Sequence, residues 1–321
     1  MNVYVAVAAA AVLPAAAASQ QEDRSGAPVA ASPEPRTTPE LDGHVFAPSI
    51  LVDTPFRTTT FKLGLLYGFG DATGPKYDIN GNQTGTAEYT FASFAQTFRY
   101  EYRFAEWLSA GAFVVTSLYS GIDGPSVVSI GAQVGVGFGL RVRAGHRFGP
   151  VETAVVVDAT SAPEYGVLVA AAIIKGIQDH VIDADSALQS THTRTVSPVA
   201  TASWAPLPAL GLTANVGYVF KSLRVSDTSL GDQNGFVVGG MVDFDFGKIS
   251  SVPIGLLAAY KLTTPLGDGG VSRVEDASGG IYYTAHREIG LGLEVGWRKF
   301  TIRPPLDSSG KLAQIGLQYY W

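Results

Sequence analysis

The chain has 321 residues, a formal net charge of −6 and no cysteine. Without thiols it has no disulfide framework, thiolate metal site or cysteine nucleophile, and an acidic balance without a basic cluster argues against nucleic acid as a partner. With 16 % charged residues, 16 Phe and 14 Tyr it is too apolar for a disordered chain, and a mean hydropathy of +0.17 suits a protein that faces something other than water.

The N-terminus reads as an export signal. Residues 1–13 are almost wholly apolar, Pro14 interrupts them, and Ala15 to Ala18 precede the polar Ser19-Gln20-Gln21-Glu22. A short apolar core ending in small residues predicts cleavage after Ala18, although no Lys or Arg precedes that core. Residues 19–43 carry Pro28, Pro33, Pro35 and Pro39 among Ala, Ser, Thr and charges, the composition of a flexible linker. Residues 41–56 (LDGHVFAPSILVDTPF) are apolar, and they read either as a seal at one mouth of the following domain or as a lead-in packed on its rim. The expected layout is a signal peptide at 1–18, a periplasmic Pro-rich linker and pre-barrel segment at 19–57, and a membrane domain at 58–321.

From Phe61 onward, apolar residues recur at every second position. Phe61, Leu63, Leu65, Tyr67 and Phe69 share one face, and Lys62, Gly64, Gly68 and Gly70 the other. Ile130 to Ala144 alternate in the same way with Gly, Gln and Arg. This is the 180° periodicity of strands with one apolar face, in runs longer than the 5–6 residues usual in globular sheets. Twelve such runs are expected near 60–69, 88–104, 107–119, 127–147, 151–160, 194–205, 209–221, 235–246, 253–264, 278–285, 288–298 and 311–321. Every second link between them is short: Ala105-Glu106, Gly149-Pro150, 206–208, 247–251 and His286-Arg287. Short turns on one side and long loops on the other predict an all-β, antiparallel, up-and-down transmembrane barrel of about twelve strands. The charge-free stretch 195–220 is interrupted by Pro198, Pro206 and Pro208 and alternates on both sides of them, so it reads as a hairpin rather than a membrane helix. Tyr165 to Gln178 loses the alternation, which predicts a short helix within one long extracellular loop.

The last residues place Ala313, Ile315, Leu317, Tyr319 and Trp321 on one face, ending on an aromatic ring. This resembles the C-terminal assembly signal of bacterial outer-membrane β-barrel proteins. The layout of residues 58–321 is similar to twelve-stranded channel and transporter barrels, including the porins linked to phenol-degradation operons. The resemblance implies outer-membrane lipid as surroundings and the barrel-assembly machinery as a partner, with Ile315, Leu317, Tyr319 and Trp321 as its recognition edge. It also implies a narrow passive channel for a small solute, the alternative being a structural or surface-display barrel with a closed lumen. Two aromatic girdles are expected, Phe104, Trp107, Phe148, Trp204, Phe246 and Trp321 at the short-turn end, and Tyr67, Phe69, Tyr119, Tyr218, Phe220, Tyr260 and Trp297 at the other.

Strand parity turns Lys62, Arg99, Glu101, Arg103, Arg141, Arg143, Arg147, Glu152, Asp158, Lys221, Asp243, Asp245, Lys261, Glu294 and Arg298 toward the lumen, with hardly any strand charge left for lipid. Arg99, Arg141 and Arg143 are expected to face Asp243 and Asp245 across a constriction. No cofactor or metal is expected: HExxH, GxSxG, GxGxxG and GxxxxGK motifs are all absent, and Asp78-Ile79-Asn80-Gly81-Asn82 reads as a polar turn rather than a calcium loop. A lipid hydrolase built on such a barrel needs a Ser/His pair on the lipid face, and His146 faces outward without a serine placed beside it. The chain reads as a non-enzyme.

Overall fold

The computed structural model describes residues 38–77, 83–123, 128–167, 188–225, 228–266, 273–301 and 307–321. The expected signal peptide, the polar turn at 78–82 and most of the expected loop helix lie outside them. Twelve antiparallel strands follow a small N-terminal hairpin. The hairpin is β1 (Glu40–Leu41) and β2 (His44–Val45). The barrel strands are β3 (Thr60–Tyr77), β4 (Gln83–Ala105), β5 (Leu108–Asp123), β6 (Val128–Phe148), β7 (Val151–Val167) and β8 (Leu188–Leu207), then β9 (Leu210–Val225), β10 (Thr228–Asp245), β11 (Ile254–Leu266), β12 (Arg273–Tyr283), β13 (Ile289–Thr301) and β14 (Asp307–Tyr320). Each pairs with its sequence neighbour, and β14 closes the ring on β3 in a register that opposes Tyr320 to Thr60 and Asp307 to Thr73. The ring has no free edge, so its ladder groups pair with one another rather than with water.

The outer surface is that of a membrane protein. Phe138, Leu140, Val142, Val216, Tyr218, Ile281, Leu293, Val295 and Ile315 are all exposed, a continuous apolar belt that water would reject and lipid accepts. The strands run further than a bilayer requires. About 9–11 tilted residues cross a membrane, yet β4 has 23, β6 has 21 and β8 has 20. The surplus lies toward the long loops, so the barrel wall continues beyond the bilayer on that side.

That extension accounts for three departures from the sequence-based expectations. Tyr165, Gly166 and Val167, assigned to the loop helix, continue β7. The tenth run, expected from residue 278, starts earlier: β12 begins at Arg273. Charges do stand on the outward face, among them Arg194, Arg224, Lys299 and Lys311, all exposed, but at the long-loop ends, above the apolar belt, where they meet headgroups and water. Tyr119 moves the other way. It lies across from Gln133, on the inward parity of β5 shared by buried Ser109 and Phe113, so it lines the lumen rather than the outer girdle.

Candidate functional site: a lumen filled by the N-terminal segment

The buried apolar core of the molecule lies inside the barrel. Leu41, Phe46, Leu51, Val52 and Phe56 pack together against Ala205, Met241 and Ala259 of the wall. Residues 38–59 therefore are not a lead-in packed on the rim. They enter the lumen at the short-turn end, reach inward to Asp53, and return to begin β3 at Thr60. The entry is shaped by Asp42 and Gly43, with φ of 49° and 86°, the Asp-Gly pair that a two-residue primed hairpin turn requires. At this mouth Arg147 holds Asp42 at 2.6 Å and Arg287 holds Glu40 at 3.1 Å.

Deeper in, the plug is latched to the wall by polar side chains at several heights. The His44 imidazole contacts the Asp243 carboxylate, both fully buried, and Asp243 also accepts from the Ala47 N–H at 3.3 Å. Glu294 accepts from the Ile50 N–H at 2.9 Å and from Ser278 at 3.0 Å. Arg57 pairs with Glu152 at 2.5 Å, and Arg143 donates to the Phe56 carbonyl. At the tip, Arg141 grips both oxygens of Asp53, at 2.8 and 2.9 Å, and also Asp158 at 2.5 Å. Thr201 donates to the Asp53 carbonyl at 2.9 Å. Two-point guanidinium–carboxylate contacts fix direction as well as distance, so the tip is seated in one orientation.

This arrangement corrects the expected constriction. Arg99 and Arg141 do not look across open space at Asp243 and Asp245: they turn to Asp53, at 3.7 and 2.8 Å, while Asp243 turns to His44 and Asp245 caps the turn by accepting from the Gly247 N–H. The plug lies between the two walls. A gap of about 40 Å³ remains beside it, lined by Asp53, Lys62, Arg99, Glu101, Arg141 and Arg143, and another of about 10 Å³ by Ile50, Lys62 and Glu294. Each buried water needs roughly 10–15 Å³ measured in this way, so the first gap has room for a few waters.

No family model matches the chain, and no curated protein is similar to it. Solved structures are similar in fold at very low identity. The translocator domain of the autotransporter NalP from Neisseria meningitidis shares 12 % identity with a TM-score of 0.52, over 82 % of this chain and 89 % of that one. The transport unit of the autotransporter AIDA-I from Escherichia coli shares 9 % and 0.51, over 85 % and 94 %. The β domain of the Bordetella autotransporter BrkA shares 9 % and 0.50, over 81 % and 99 %. The fold is that of a bacterial outer-membrane β-barrel.

Within this barrel the remaining residues singled out in the sequence are placed as follows. Lys62 reaches the Ser49 carbonyl at 3.4 Å, Glu101 accepts from Ser109 at 2.6 Å and lies 3.5 Å from Arg143, and Arg103 sits at the mouth, its N–H donating to Thr59 at 3.2 Å. Arg298 pairs with Asp276 at 2.5 Å. Lys221 and Lys261 are on the inward parity of β9 and β11, above the plug. Ile315, Leu317, Tyr319 and Trp321 are exposed on the outer face. Sequence reasoning missed His44, Asp53, Arg57 and Asp276. The first three stand in a segment whose apolar pattern was visible but whose partners lie up to 199 residues away. Asp276 fell just outside a strand begun too late. Among the described residues no group of three or more His, Asp or Glu is placed to hold a metal ion.

Two expected results follow from the latches. Gly211 on β9 leaves the space that His44 and Asp243 share, because a Cβ there would overlap both the imidazole and the carboxylate. Gly211→Val should therefore expel His44 and expose the plug to protease in folded barrels, whereas unchanged protection would contradict the packing. At the tip, burial alone would raise the Asp53 carboxyl, but Arg141, Arg99 and Arg143 overrule it and hold it well below the usual carboxylate range. Its folded value is below its unfolded one, so its contribution is complete at neutral pH and is lost only as pH falls through that depressed value. Plug protection should persist down to about pH 4, the ordinary carboxylate range. Release between pH 5 and 7, followed by acid-active protease digestion, would show that Asp53 is not the controlling anchor.

Proposed function

We propose that the protein is an outer-membrane channel for small anionic solutes, held shut at rest by residues 38–59. The observation that carries this reading is the chemistry of the closure. Beside its apolar contact with Ala205, Met241 and Ala259, the plug is held to the wall by charged and hydrogen-bonded groups that water can replace. Beside the tip the inward face presents Lys62, Arg99, Arg141 and Arg143 against Glu101 and Asp158. With the segment withdrawn these basic groups line the lumen, and rings of like charge select the opposite ion. A twelve-strand ring leaves a slim lumen once its contents are removed, wider than eight-strand barrels and narrower than sixteen-strand porins. No enzymatic role is part of this reading.

The test is planar-bilayer recording of the intact barrel and of a variant lacking residues 38–57. The intact protein should be silent or nearly so, and the deletion variant should conduct with anion preference. A second reading, a display barrel with a permanently closed lumen, is favoured by strands that rise beyond the bilayer. A deletion variant that folds and stays silent supports that second reading and removes the first.

We also propose that the exposed row Ile315, Leu317, Tyr319 and Trp321 is the edge captured by the assembly machinery through strand pairing. Removing Trp321 should reduce the protein found in outer membranes several-fold. Unchanged levels would rule this role out.

A further inference from the structure

The outward face holds a polar cluster that neither the plug nor the lumen uses. At the long-loop end of β7, β8 and β9, Ser161 lies across from Arg194 and Pro163 from His192. On the next strand pair, Arg194 lies across from Ser222 and His192 from Arg224. Ser161 Oγ is 2.9 Å from His192 Nε2. The face is outward beyond question of parity: Ser161 opposes exposed Phe138 on β6, and the row one step nearer the membrane is Val196 opposite Phe220, both exposed. Arg194 and Arg224 are exposed as well, and among residues whose side chains are described neither has an ion-pair partner.

We propose that Arg194, His192 and Arg224 form a binding site for the phosphorylated headgroup of an outer-leaflet lipid. One same-face step along a strand is about 6.6–6.8 Å and directly opposed side chains start about 4.5–5.5 Å apart, so one phosphate reaches all three. Arginine presents a planar fork that matches phosphate oxygens two at a time. Ser161 holds the imidazole of His192 through Nε2. The height decides the source of the phosphate. Two exposed guanidiniums immediately above an apolar row of Val196, Phe220 and Phe138 meet a group whose acyl chains lie along that row, which a free anion lacks. Among the described positions of the outward face, the nearest acidic one by register is Asp232, across from Ser222 on β10, on the far side of Ser222 from Arg194, so the centre of the site is Arg194 and His192.

The test uses the full-length protein in maltoside micelles with a diphosphorylated glycolipid as probe, its dephosphorylated form and inorganic phosphate as comparators, and native mass spectrometry as readout. The phosphorylated glycolipid should bind, and Arg194→Ala with Arg224→Ala should weaken it about ten- to hundredfold, the range for losing charged hydrogen bonds. Arg194→Lys, which keeps the charge and loses the fork, should fall between and serves if the double variant fails to fold. Lys299→Ala with Lys311→Ala, on the same outer rim, should leave binding unchanged. Equal loss in that control, equal binding of the dephosphorylated lipid, or displacement by inorganic phosphate at matched concentration would each overturn the proposal. So would cleavage of the bound lipid that stops in Ser161→Ala, since Ser161 and His192 would then be a hydrolytic pair.

Discussion

Replacing Arg141 by alanine should unseat the plug. Arg141 is almost completely buried and holds two carboxylates, Asp53 of the plug at 2.8 Å and Asp158 of the wall at 2.5 Å. Removing one partner of a buried ion pair costs about 3–5 kcal/mol, because the survivor keeps its charge and loses its compensation. The cost here falls toward the lower end, since the Asp53 side chain keeps 40 % of its surface exposed to lumen water. Arg99, 3.7 Å from Asp53, then compensates only in part, Asp53 and Asp158 repel each other, and the cheapest relief is for the tip to leave. The variant should show a protease-sensitive N-terminal segment, a lower melting temperature and conductance in bilayers. Asp53→Asn, which keeps the shape and abolishes the repulsion, should be milder on all three. If Arg141→Ala keeps a silent, protected barrel, Asp53 is not what seats the tip.

His44→Ala should act at the other end of the plug with a comparable effect. It deletes the largest polar side chain of the entry hairpin and leaves Asp243, buried and at 1 % exposure, with only the distant Ala47 N–H as donor. A buried acceptor left without a partner costs about 1–3 kcal/mol, and a charged one more. Asp243→Asn leaves a neutral amide that still hydrogen-bonds the imidazole, so it should recover most of the loss. The pair of variants separates the charge from the packing. If the two lose equal stability, the contact acts through the carboxylate charge rather than through shape. Because His44 and Arg141 hold opposite ends of one segment, their effects should be less than additive: once the tip has left, the entry latch has less to hold.

How much of this could be read from the residues depends on the range of the interaction. Period-two alternation is a local property, so the twelve runs, the alternating turn lengths and the inward parity of residues such as Arg141 and Glu294 are visible from neighbours in sequence. Ends of strands are less so. Outside the bilayer the apolar half of the alternation is no longer required, which is why Arg273 to Asp276 and Tyr165 to Val167 did not announce themselves as strand. The plug was the hardest element. Its apolar residues Leu41, Phe46, Leu51, Val52 and Phe56 follow no helix or strand period, because they fit a cavity formed by strands far along the chain rather than a face of their own. The charges on the wall were legible and their partners were not: parity shows that Asp243 points inward, and only the closed ring reveals that His44 is what it meets.

Residues 38–59 sit inside the barrel, and a disulfide tests this placement most directly. A Cβ at Gly239 on β10 would lie 3.5 Å from Val52 Cγ2, within the reach of a cystine bridge, and the chain has no cysteine of its own. Val52→Cys with Gly239→Cys, oxidised in intact outer membranes, should form an intramolecular bridge in most molecules, seen as two fragments joined until reduction after cleavage between the two positions. Folded barrels that form no such bridge, while both thiols react with a soluble maleimide, would contradict the account.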